Sequence, residues 1–273
     1  MQATFKPDGT RLAAISTNSN TLYILSSGNS TFTISQSINL GSPPNSITWS
    51  VNGERLIAGL RNGTVEVFGL NTTNQYDQVQ LLGTSHKSIA YIAGVKSRFV
   101  TCGTLDQSVN IFYYNTTTKQ YSLNQTVSGL PGDGCSAIDY SPLENRIAVG
   151  RTDGSVALLL RDANYIYSIS NNISAHPASI NFVKWSGDSV YLLTAGSTDS
   201  TVKLWTGANN FTGSTSSKTM KGQSATYSTI NEKFAIGTFD DKAGTIAIEM
   251  LKATNCANAT VASNPSVCNC NSG

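Results

Sequence analysis

The chain has 273 residues, with 18 basic and 16 acidic side chains, a formal net charge of +2 and 39% apolar residues. Charged residues make up only 12%, about half the usual share of a soluble domain, and Ser, Thr, Asn and Gly fill the gap. This excludes a coiled coil and a charge-rich disordered chain, and the near-neutral balance excludes the concentrated basic footprint of an electrostatic nucleic-acid binder.

No apolar run approaches the roughly 18 residues of a membrane span. A typical candidate, Val156-Ala157-Leu158-Leu159-Leu160, stops at the charge of Arg161. The opening Met1-Gln2-Ala3-Thr4-Phe5-Lys6-Pro7 lacks the basic start and apolar stretch of a secretory signal. The expectation is a cytosolic protein or an internal piece of a longer secreted one.

Along the chain a pattern recurs six times. A short β run opens with Thr or Ser at Thr21, Thr64, Ser108, Ser155, Thr201 and Thr245, at spacings of 43, 44, 47, 46 and 44. An aromatic closes an earlier run at Phe5, Trp49, Tyr91, Tyr140, Trp185 and Tyr227. Between the two, a basic residue opens a third run at Arg11, Arg55, Arg98, Arg146 and Lys233. The fifth copy lacks it and reads Asp188-Ser189-Val190.

Each copy reads as four strands, a to d. In the second copy they are Ser46–Trp49, Arg55–Ala58, Thr64–Phe68 and Gln78–Leu82. Turns such as Asn52-Gly53 and Asn62-Gly63 supply the positive φ that hairpins favour. No stretch combines helical periodicity with caps at both ends.

A period of about 44 residues with four strands per unit resembles a β-propeller of the WD40 type. The fifth copy carries the resemblance best: His176, then Ile180, Val183 and Trp185, the turn Ser186-Gly187-Asp188, then Asp199 and Thr201-Val202-Lys203-Leu204-Trp205. The resemblance implies that His176, Asp199 and Trp205 share one hydrogen-bonded network inside a blade. The turn acid recurs as Asp106 and Asp153, with Asn62 in the second copy. Other copies depart from the pattern: His86 stands at a different offset from Tyr91, and Trp205 is followed by Thr206 instead of Asp. The implied fold is all-β, a propeller of six four-stranded blades over residues 1–250, with an irregular disulfide-containing tail over 251–273. Because the chain starts at strand a, the last blade needs its fourth strand from Thr254–Ser263 or from another molecule.

The tail reads Cys256-x11-Cys268-Asn269-Cys270-Asn271-Ser272-Gly273, which resembles the start of an EGF-like, cysteine-rich module of extracellular proteins. The plainer reading is a tail with incidental cysteines. No His stands near to complete a zinc site. Cys102 falls at a core position of strand b, aligned with Ile15, Ala58, Val149 and Ala195, and is expected to be a buried free thiol. Cys135 lies in a d–a connection, where pairing with Cys102 is open but unsupported by that alignment.

Acceptor motifs for N-glycosylation stand at Asn29, Asn62, Asn71, Asn115, Asn124, Asn172, Asn210 and Asn258. Their number is near what the composition alone would produce. Their placement says more: Asn29, Asn71, Asn115, Asn210 and Asn258 follow the strand-c opener and fall in c–d connections, which share one face of a propeller. The alternative is that turns are rich in Asn and Ser for their own reasons.

Chemistry is sparsely signalled. His86 and His176 are the only histidines, no phosphate loop is present, and Asp240-Asp241-Lys242-Ala243-Gly244 reads as an elongated turn. Asp139 and Glu144 have ordinary strand-end and turn explanations, and Lys218 and Lys221 belong to a solvated loop. No catalytic residue, metal, cofactor or nucleic acid is expected. The expected protein is a non-catalytic, glycosylated extracellular or cell-surface module, structural or adhesive. Its partners would be copies of itself, in a filament or layer, or adjoining modules of a longer chain. The alternative is a cytoplasmic WD40 scaffold docking peptides on the face of the b–c and d–a loops.

Overall fold

Short runs of Val, Ile, Leu and aromatics, each bounded by Gly, Asn, Asp or Ser, fit pleated strands, and strands are what forms. The computed structural model describes residues 2–28, 31–86, 89–95, 97–207, 210–219, 222–228, 233–240 and 245–252. No α-helix occurs among them.

Sheet one holds β1 (Gln2–Phe5), β2 (Arg11–Ile15), β3 (Thr21–Ser27) and β4 (Phe32–Asn39). Sheet two holds β5 (Pro44–Trp49), β6 (Arg55–Leu60), β7 (Thr64–Leu70) and β8 (Tyr76–Gly83). Sheet three holds β9 (Ile89–Val95), β10 (Arg98–Gly103), β11 (Ser108–Asn115) and β12 (Gln120–Ser128). Sheet four holds β13 (Cys135–Tyr140), β14 (Arg146–Arg151), β15 (Ser155–Arg161) and β16 (Tyr167–Ser174). Sheet five holds β17 (Ile180–Trp185), β18 (Tyr191–Gly196), β19 (Thr201–Thr206) and β20 (Ser214–Thr219). Sheet six has three described strands, β21 (Gly222–Ser228), β22 (Lys233–Asp240) and β23 (Thr245–Lys252). The region expected to supply its fourth strand, Thr254–Ser263, lies outside the described residues. Within every sheet neighbouring strands are consecutive and antiparallel. The six Thr or Ser openers are the first residues of the third strands, and the five basic residues the first residues of second strands.

First strands of successive sheets pack side by side, β1 on β5, β5 on β9, β9 on β13, β13 on β17 and β17 on β21. Sheets two to five are therefore covered on both faces. The middle strands show it: Leu56, Ile57, Ala58, Val65, Val67 and Phe68 are all buried, although they point alternately to opposite faces. The core is divided into clusters that each span two consecutive sheets. A buried side chain of this size contributes about 1.5–3 kcal/mol, so no sheet reaches its stability alone.

Polar side chains fasten the sheets to one another. Arg11 reaches the Asn74 carbonyl at 2.9 Å and lies over the Tyr76 ring. Arg55 reaches the Tyr114 hydroxyl at 3.3 Å, Arg98 the Glu144 carboxylate at 2.9 Å, and Arg146 the Ser189 carbonyl at 3.0 Å. In all four the basic residue that opens a second strand docks on the next sheet.

A second fastening has no precedent in the sequence markers. The Gln36 amide donates to the Tyr76 carbonyl and accepts from the Tyr76 N–H, both at 2.8 Å. Gln80 does the same to Tyr121 at 2.7 and 2.9 Å, and Gln125 to Tyr167 at 2.7 and 2.9 Å. Each side-chain amide thus imitates one step of a strand ladder across the gap between outer strands. Asn171 continues the series with one bond, to the Asn210 carbonyl at 3.0 Å. Opposite Leu204, the next equivalent place, stands Ser216, and Tyr191 opens β18 where the first four sheets have arginine.

The aromatic closing the first strand meets another at the start of the fourth or in the turn before it: Phe5 with Phe32, Trp49 with Tyr76, Tyr140 with Tyr167 and Trp185 with Phe211, all edge to face. Sheet three departs from the expected marker. Phe99 of β10 faces Gly94, as Leu192 faces Trp185, so Gly94, not Tyr91, ends the repeat position. The β9–β10 hairpin is two residues shorter, which shifted the apparent register. Phe99 stacks on Phe112 and meets Tyr121 edge-on, filling the space of the missing aromatic.

Two more corrections concern the core and a loop. Cys102 is not a free thiol: it is disulfide-bonded to Cys135, with Cα atoms 6.0 Å apart. In the observed register Cys102 faces Val109 as Gly59 faces Val65 and Gly150 faces Val156, one residue beyond the expected Ala58 and Val149. A slip of one residue points a side chain to the other side of a sheet. A Cβ at Gly59 would meet Ile89, and one at Gly150 would meet Ile180. Cys135 holds the corresponding first place in β13, so this position faces the neighbouring sheet and the two sulfurs meet. Lys218, expected in a loop, lies on β20, while Lys221 and the turn at 241–244 fall outside the described residues.

Candidate functional site

The b–c connection of one sheet and the d–a connection leading to the next come together at one end of the molecule, and polar side chains collect there. In sheet five the buried His176 lies with Nδ1 2.8 Å from Asp199 and Nε2 2.9 Å from the Thr194 hydroxyl. Trp205 donates its indole N–H to the same hydroxyl at 2.9 Å, and Thr201 donates to Asp199 at 2.7 Å. His176, Asp199 and Trp205 are thus one chain of contacts, with Thr194 as the link between ring systems. Burial holds His176 below its ordinary pKa against the opposing pull of Asp199. Burial pushes Asp199 up, but hydrogen bonds from Thr201 and His176 outweigh it and leave its carboxyl lowered.

His86 repeats this arrangement despite its different spacing. Its Nδ1 lies 2.9 Å from Asp106 and its Nε2 3.0 Å from the Thr101 hydroxyl. β9 starts three positions after His86 and β17 four positions after His176, so the offset from Tyr91 was the wrong measure. Glycine ends the second strand in both sheets. A Cβ at Gly196 would stand 2.4 Å from Asp199, and at Gly103 2.0 Å from Asp106.

Sheet four has no histidine and solves the same problem differently. Gly132 stands against the turn acid; a Cβ there would lie 2.7 Å from Asp153. The place of Gly196 is taken by Arg151, fully buried, whose Nη2 donates to the Gly132 carbonyl at 3.2 Å. Burial lowers the Arg151 pKa, while Asp153, Asp106 and Asp133 raise it in opposition.

Between the loops of sheets three and four lies an open cleft of about 570 Å³ lined by Thr104, Leu105, Gln107, Asp133, Gly134 and Thr152. Its walls touch at the base: a Cβ on Gly134 would sit 1.7 Å from the Thr104 carbonyl oxygen, so only glycine fits. Gln107 donates to Gly132 at 3.0 Å and the Thr152 N–H to Gly134 at 2.9 Å. The Cys102–Cys135 disulfide joins the two sheets directly beneath, since Cys102 precedes Gly103-Thr104 and Cys135 follows Gly134. Sequence reasoning missed this cleft because its walls come from three separate connections.

The acids considered for catalysis belong to joints between sheets. Asp139 accepts from Lys184 at 2.9 Å and the Trp185 N–H at 2.8 Å, and Glu144 pairs with Arg98. No group of three metal-ligating side chains occurs among the described residues. No described helix is long and apolar enough to cross a membrane.

Among the glycosylation motifs, Asn71, Asn115 and Asn210 lie at c–d connections, Asn124 and Asn172 on the outer strands β12 and β16, and Asn62 in a b–c turn. Asn71 caps its own turn, accepting from Thr73 and Gln75 and donating to Asp77 at 2.8 Å. Asn62 accepts from Thr64, as the turn acids do from their own Ser or Thr. Asn29, Asn258, Cys256, Cys268 and Cys270 lie outside the described residues.

Residues 167–206 match the family model described as WD domain, G-beta repeat. This stretch runs from β16 to β19 and contains His176, Thr194, Asp199 and Trp205. Many solved structures resemble the fold. One is a chain in the crystal structure of the mitotic checkpoint complex, with a TM-score of 0.71 and 14% identity, covering 92% of this chain and 78% of that one. No curated protein matches by sequence. The all-β arrangement of four-stranded antiparallel sheets is therefore that of a WD40-like propeller.

Proposed function

We propose that the chain is a non-catalytic, extracellular or cell-surface protein-interaction module, a six-bladed propeller that offers the b–c and d–a end to protein partners. The observation that carries this reading is the disulfide between sheets three and four. Disulfides form and persist in oxidising compartments and are rare in reducing ones. Low charge supports the same reading, because glycans would supply the solubility that charged side chains usually provide.

The acceptor motifs give this reading an orientation. In an antiparallel sheet the c–d connections lie at the end opposite the b–c connections, so sugars on Asn71, Asn115 and Asn210 would leave the cleft bare. Partners of the bare end are a second copy, as in a head-to-tail filament, or adjoining modules of a longer chain. The tail cysteines fit the latter. Intact mass of natively produced protein, alkylated before and after reduction and with and without deglycosylation, tests the reading. Cys102 and Cys135 should resist alkylation until reduced, and Asn62 should be unmodified. Freely alkylated cysteines with bare asparagines throughout would overturn it in favour of a cytoplasmic scaffold.

A further inference from the structure

The cleft between sheets three and four pairs two features. Leu105 is 87% exposed, in a turn where sheet five carries Thr198 and sheet two Arg61. An isolated exposed leucine means little, but this one lines a concavity that also holds the exposed Asp133. The Asp133 backbone lies near Asp153, and its carboxylate makes no hydrogen bond among the described residues. Nearby carboxylates are already engaged: Asp106 by His86 and Ser108, Asp153 by Ser155. Arg151 is the neighbouring cation, and it is buried on Gly132, outside the cleft lining. Asp133 is thus the one charged side chain among the cleft's lining residues, and its negative charge disfavours an anionic ligand.

A lysine or arginine has the matching build, an aliphatic stem with a cationic tip. Resting on the interaction reading above, we propose that this cleft receives a lysine or arginine side chain of a protein partner. Leu105 and the Thr104 and Thr152 walls cover the stem, and Asp133 takes the head. The disulfide and the Gly134–Thr104 contact hold the walls at fixed separation, so little ordering is needed on binding.

The probe is a displayed library of random dodecapeptides selected on the intact chain. Enriched peptides are then titrated against wild type, Asp133→Asn and Leu105→Ser, and amide shifts locate the contact. Both substituted residues are exposed, and unchanged melting curves will show that the variants fold. Enriched peptides should share a Lys or Arg, perturb Thr104, Gln107 and Thr152, and bind Asp133→Asn about five-fold or more weakly. Peptides without a basic residue, or indifferent to both substitutions, overturn the cleft assignment and leave the interaction module standing. No enrichment on any surface overturns both.

Discussion

The joints linking sheets one to five and the joint between sheets five and six carry different residues at two matching positions. The first four combine a shared apolar cluster with an arginine reaching across, and with a glutamine or asparagine amide fastening the outer strands. At the last joint the apolar cluster persists, with Phe182, Leu193, Val202, Phe234 and Ile236, but tyrosine and serine occupy the arginine and glutamine places. Apolar burial is non-directional, and bidentate polar contacts fix register. The contrast teaches that apolar burial is common to the five described joints, whereas the arginine and amide fastenings seen among the described residues belong to the first four.

The largest test of this contrast is Arg98→Ala. Arg98 and Glu144 are each 11% exposed at the side chain, so losing one strands the other. A cost of about 3–5 kcal/mol is expected, read as a lower urea midpoint. Replacing Cys102 and Cys135 together by Ala should cost about 2–4 kcal/mol, measured the same way, and reduction of the wild type should reproduce it. Gln80→Ala removes two bonds to the backbone of Tyr121 and should cost about 1–2 kcal/mol, with faster amide exchange along β12. A smaller cost than that of an exposed control glutamine would break the claim that these amides fasten sheets.

Protonation offers a gentler probe of sheet five. Because His176 is held below its ordinary pKa in the folded chain, the unfolded chain takes up the proton first as pH falls. Stability is fully present above about pH 6.5 and declines as pH drops from there towards the folded value, by no more than about 1.4 kcal/mol per pH unit. His176→Gln should flatten that slope in unfolding midpoints measured from pH 7.5 to 5.

Much of the fold was legible because strand openings repeat at the level of single residues. The Thr or Ser at each third strand and the basic residue at each second strand mark true strand starts. What those basic residues do was hidden, since the register says nothing of a neighbour 43 to 63 residues away. The glutamines at 36, 80 and 125 recur at 44 and 45 residues, yet they stand in exposed outer strands without an apolar rhythm to draw attention. Tyr91 misled because a hairpin lost two residues, and Cys102 because two neighbours were aligned one residue short. The cleft was illegible in principle, being assembled from loops that meet only when two sheets dock.

The arginine and glutamine hooks share a direction: every one extends from an earlier sheet to the sheet that follows. A chain leaves the ribosome N-terminus first. Each unit therefore carries its grips before the sheet that will receive them has been made, and both gain their stability when the two dock. Assembly can then follow the order of synthesis, each new sheet docking on contacts that the one before it already offers.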